Sequence, residues 1–137
     1  VGKGSFLPWN TLTVYSTYGR LHTEADEANY MNCIKSLIAA VNPFFVSIDD
    51  VANKIKLQDK AKEAHFVPNE IKTIYWANYW NNTFLDKHKI NPAQDFPVHS
   101  LERIGDGIFF QLSDSLHNYN SSEVHKRQKE IRKYICE

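Results

Sequence analysis

Apolar residues recur at helical spacing in five stretches of this chain, and polar or proline-bearing breaks separate them. The first stretch holds Tyr30, Ile34, Leu37, Ile38 and Val41. Thr23, with Asp26 three residues on, opens it in the manner of a capping box, and Asn42-Pro43 closes it. The second holds Ile48, Val51, Ala52, Ile55 and Ala61. Ser47 begins it, and Asp49 and Asp50 fall in the first turn, where carboxylates favour the positive end of the helix dipole. Pro68 suits the first turn of a third helix that runs to about His88. Ser100 caps a fourth, with Leu101, Ile104, Ile108, Leu112 and Leu116 along it. After a polar turn over 118–122, Val124, Gln128, Ile131 and Ile135 define the last. No hairpin signal interrupts the pattern, and residues 1–20, with three glycines and Pro8 among aromatics, read as an irregular arm.

Two of these stretches carry unusual residues. Tyr75, Trp76, Tyr79 and Trp80 crowd the third. At about 100° per residue, Ile71, Tyr75 and Tyr79 fall on one stripe and Trp76, Trp80 and Phe84 on a second. One buried face does not need both, so this segment is either the central helix of a bundle or a display of aromatics to a partner. Gly105 and Gly107 lie in the fourth stretch, where each costs about 1 kcal/mol relative to alanine in a helix. Close approach of another helix, with Trp76 or Trp80 in the notch, would explain them.

Composition narrows the possibilities. A chain of 137 residues, 42% hydrophobic and 13% aromatic, supports one domain with a substantial core. Sixteen basic residues balance sixteen acidic ones, so no global field steers the chain onto nucleic acid. Charge is local instead: Lys54, Lys56, Lys60 and Lys62 gather in the second stretch. Lys126, Arg127, Lys129, Arg132 and Lys133 outweigh Glu123, Glu130 and Glu137 at the C-terminal end. The most apolar run, from Ile34 to Ile48, is broken by Lys35, Ser36, Asn42 and Pro43 and is no membrane span. Cys33 and Cys136 are either one long-range bridge or two buried thiols. Asn81-Asn-Thr83 and Asn120-Ser-Ser122 match the glycosylation acceptor pattern, and the first residue, Val1, is compatible with a processed chain.

The residues offer little chemistry. Six histidines are scattered, with no pair at the spacing of a helical zinc site and no cysteine cluster to complete one. No serine sits in a nucleophile elbow, and Cys33 falls on the apolar side of a helix, where a thiol is inert. Neither a metal, a cofactor nor an enzymatic activity is expected; a binding role is.

Trp76-Ala-Asn-Tyr79, the proline-containing connection at Asn91-Pro92 and Arg103-Ile-Gly105 opening a glycine-containing helix together resemble the abalone sperm acrosomal proteins, the family of lysin and its fusagenic paralogue. The resemblance spans roughly Leu21 to Asn118. It implies an all-α, single-domain five-helix bundle, stored in the acrosome and released outside the cell. Its members act without turnover, by loosening an egg-coat glycoprotein or by fusing membranes. Dissolving an acidic envelope calls for a strongly cationic protein, and this chain is neutral. Surplus aromatics beside local lysines suit membrane fusion better. The expected partners are therefore egg plasma membrane lipids or an egg-surface protein, with an egg-coat glycoprotein as the alternative. Trp76, Trp80 and Phe84 are the candidate lipid contacts. Lys54, Lys56, Lys60, Lys62, Lys126, Arg127, Arg132 and Lys133 are the candidate basic surface. A helical carrier whose aromatics line a pocket for a small apolar ligand is a further alternative.

Overall fold

A computed structural model describes residues 23–50, 52–53, 55–56, 73–91 and 95–135. The irregular arm expected over 1–20 lies outside the described residues. Helix α1 (Glu24–Val41) forms as the sequence requires: Thr23 Oγ1 accepts from the Asp26 N–H at 3.1 Å, and Asn42 closes the helix with a left-handed backbone, φ 47°. Met31, Ile34 and Ile38 are its buried stripe. The last helix, α3 (Ser122–Ile135), also forms where the pattern places it, burying Val124, Gln128 and Ile131. Between these two, the described residues form mainly a sheet, with one short helix.

Four strands, β1 (Phe45–Ile48), β2 (Ala77–Trp80), β3 (Ser100–Ile104) and β4 (Gly107–Gln111), form one antiparallel sheet in the order β1-β2-β4-β3. A short helix, α2 (Asn82–Lys87), follows β2 and is capped by Asn81, whose Oδ1 accepts from the Phe84 N–H at 2.9 Å. The fold is mixed α/β, and the all-α five-helix bundle is overturned.

Each reassigned stretch has a physical reason. Central strands β2 and β4 are paired on both edges, and helices cover both sheet faces, so neither strand shows polar alternation. A continuous apolar run of this kind has no period that separates strand from buried helix. Gly105, with φ +57°, and Asp106 make a two-residue turn between β3 and β4. A positive φ at the first central position alone matches a II′ hairpin turn, so the two glycines mark a hairpin rather than notches in a helix. The second stretch begins as β1. Asp50, not Ser47, starts the helical residues that follow, its Oδ1 accepting from Ala52 N–H at 2.9 Å and Asn53 N–H at 3.2 Å.

The register sorts side chains onto two faces. Tyr79 lies opposite Phe109, which lies opposite Glu102. α1 covers this face: Lys35 Nζ sits 5.2 Å from the Phe109 ring centroid and 2.7 Å from Glu102 Oε2, and the Tyr79 hydroxyl reaches Asn42 at 3.3 Å. On the other face Trp80, opposite Ile108, packs its ring 4.7 Å from Phe110 and 5.0 Å from Phe84, centroid to centroid, with Phe96 beyond. Edge strand β3 keeps Leu101, Glu102 and Arg103 exposed, and charged edge residues of this kind discourage pairing with another chain.

Candidate functional site

Buried polar side chains in this fold act mainly on backbone groups. Asp49, just after β1, accepts from the Trp76 N–H at 3.0 Å through Oδ2, and from Asp50 N–H and Asn53 Nδ2, each at 2.8 Å, through Oδ1. The side chain of Asn78 clasps both the N–H and the carbonyl of Tyr75. Glu27 on α1 accepts from Ser115 Oγ at 2.9 Å and Leu116 N–H at 2.8 Å. The indole of Trp76 donates to Ser113 Oγ at 2.7 Å, which donates to the Ser115 carbonyl. These contacts tie α1, the entry to β2 and the exit from β4 into one unit. Each satisfies a group that would be costly to bury alone.

Asp49 also carries a pH signature. Burial raises its carboxyl above the ordinary aspartate value, against the lowering effect of its Asn53, Trp76 and Asp50 hydrogen bonds. The folded state thus holds this proton more tightly than the unfolded chain. The associated stabilisation is fully present below the ordinary aspartate value and is lost as pH rises through the raised one. Asp49→Asn removes that dependence and turns one acceptor oxygen into a donor, at a cost of about 1–3 kcal/mol. The expected result, from thermal melts of both proteins across this window, is that wild type gains on the variant as pH falls.

The expected surface residues separate sharply. Trp76, Trp80 and Phe84 are 0%, 1% and 0% exposed, so the expectation that they contact lipid is corrected: they are the centre of the core. Trp80 packs its ring against Phe84 and Phe110. Lys56 is exposed; Lys54, Lys60 and Lys62 lie outside the described residues. Cys33 is exposed on α1 rather than on its apolar side, and Cys136, its possible disulfide partner, lies outside the described residues. Among the described residues, no three His, Cys, Asp or Glu side chains gather where a metal would need them, and no helix is long and apolar enough to cross a membrane.

Helix α3 carries a group of exposed basic residues. Gln128 Nε2 donates to the Ile74 carbonyl at 2.8 Å, and Val124 and Ile131 are fully buried, so the helix is fixed by one side. Arg127 belongs to that attachment: its Nη1 donates to the Leu112 carbonyl and its Nη2 pairs with Glu123, both at 2.6 Å. Lys126, Lys129, Arg132 and Lys133 are exposed. At about 100° per residue these four fall within roughly 120° of the helix circumference, a single stripe. Exposed Tyr134 flanks the stripe, its ring stacked on Phe96 at 5.3 Å. The basic candidates at this end therefore lose Arg127 to packing and gain Lys129, which its angular position on the helix already marked.

No protein-family model, no curated protein and no solved structure matches this chain.

Proposed function

We propose that this is a non-enzymatic binding protein that docks on anionic membrane surfaces through the cationic stripe of α3. The stripe carries the reading. Lys126, Lys129, Arg132 and Lys133 stand exposed on one side of a helix whose opposite side is fixed to the fold, within a chain of formal net charge zero. Each basic residue held near an anionic leaflet contributes about 1 kcal/mol, and four together about a thousandfold in affinity. The buried polar groups support binding over catalysis, because Asp49, Asn78, Glu27 and Gln128 are occupied with backbone groups. Docking occurs at the surface, without insertion of Trp76, Trp80 or Phe84.

The gamete-fusion setting, storage in the acrosome and release outside the cell rest on the sequence resemblance alone, and the five-helix bundle that it implies is not this fold. Docking does not depend on that setting. Dissolving an envelope glycoprotein is less well supported, since it calls for a large positive charge.

Co-sedimentation with phosphatidylserine-containing and pure phosphatidylcholine vesicles tests the proposal. Binding is expected only to the former, and to weaken as salt rises above physiological strength. Replacing Lys129 and Lys133 together with glutamine is expected to weaken it about thirtyfold. Equal binding to both vesicles, no binding to either, or indifference to the two substitutions would overturn it.

A further inference from the structure

The sequence holds two N-glycosylation acceptor triplets, at Asn81 and Asn120, and the fold treats them oppositely. Asn81 is 8% exposed. Its Oδ1 caps α2 at Phe84, and its N–H donates to the Phe44 carbonyl at 3.2 Å. A glycan on Asn81 would have to be accommodated at a buried residue whose side chain caps α2, so a chain modified there before folding puts the cap and its packing at risk. Asn120 is exposed in the turn that precedes α3, and Ser122, which supplies the hydroxyl of the triplet, is exposed as well. The turn is held independently of Asn120 Nδ2: Ser121 N–H donates to the Asn118 carbonyl at 3.1 Å, and Ser121 Oγ accepts from the Val124 N–H at 3.3 Å. Asn120 Oδ1 faces His125 Nε2 at 3.0 Å, a contact that modification of Nδ2 leaves in place.

We infer that Asn120 is an N-glycan attachment site of the folded protein and that Asn81 is not. The inference goes beyond membrane docking and does not rest on it; it concerns which of the two acceptors the fold presents. The donor is a polyprenyl-diphosphate-linked oligosaccharide. In the transfer, the bond between the sugar's anomeric carbon and the diphosphate oxygen breaks. A bond from Asn120 Nδ2 to that carbon forms, Nδ2 releases a proton, and the polyprenyl diphosphate leaves.

The test incubates purified folded protein with an oligosaccharyltransferase and the lipid-linked donor, beside a sample unfolded in advance, and maps modified peptides by mass spectrometry. The folded chain is expected to gain one glycan, at Asn120, and the unfolded chain to be modified at both sites. Ser122→Ala abolishes transfer to the folded chain, and Thr83→Ala leaves it unchanged. Modification of folded protein at Asn81, or of Asn120 only in the unfolded sample, would overturn the inference. Because no cell is involved, that result is separable from failure of membrane docking and from the route by which the chain travels. In cells, protein expressed behind a signal peptide and secreted with its glycan at Asn81 would contradict the inference as well.

Discussion

Trp80→Ala is expected to destabilise the protein by about 4 kcal/mol, the range for removing a large aromatic from a packed core. The ring is 1% exposed and sits at the meeting point of β2, β4, α2 and the segment before β3, against Phe110, Phe84 and Phe96. Removing it withdraws the common neighbour of three other rings, and helix α2 loses its principal support on the sheet. Urea denaturation followed by circular dichroism measures the loss, which corresponds to a fall in Tm of about 15 °C for a chain of this size. A Trp80 that faced solvent or lipid would give a change near zero under the same measurement.

Gly107→Ala is expected to cost about 3 kcal/mol, for a reason confined to one atom. A Cβ built on Gly107 would overlap the Trp80 carbonyl oxygen and meet the Tyr79 hydroxyl oxygen at 2.6 Å. The first is backbone of the central strand. The second is held by a hydrogen bond to the Ile104 carbonyl at 3.1 Å, so neither yields cheaply. Gly105→Ala serves as the comparison. There the added atom meets nothing closer than 3.9 Å, and the cost is backbone strain at φ +57° alone, about 1–2 kcal/mol. The sign of the Gly107 result is informative. In a helix interior, glycine to alanine would stabilise by about 1 kcal/mol. In this hairpin it destabilises.

The ends of the described chain were legible because their signals are local. Thr23, Asp26 and Asn42-Pro43 bound α1 through hydrogen bonds within a few residues, and α3 is an isolated amphipathic helix packed by one side. The middle was not legible because its structure is set by distant pairing. Trp76 to Trp80 satisfy a helical wheel, yet Trp80 finds its partners at Phe45 and Ile108. Helical spacing from Leu101 to Leu116 is equally real in the sequence, but the Gly-Asp-Gly turn folds it in half. That turn was the available hairpin signal: a glycine at the first of two central positions between apolar runs. Asp49 looked like a helix-dipole residue, and nothing nearby in sequence announces its bond to Trp76, 27 positions on. The stripe on α3 was within reach, since angular position alone distinguishes Lys129 from Arg127.

The aromatic segment is closed interior, and the proposed contact with a membrane is made at the surface, through α3. Trp9→Phe leaves Trp76 and Trp80 as the only tryptophans. Their fluorescence, recorded with phosphatidylserine-containing vesicles whose acyl chains are brominated, reports whether either ring reaches lipid. This variant is expected to co-sediment with the vesicles while its emission stays unquenched; quenching by the brominated chains would overturn the reading that the membrane is met only at the surface.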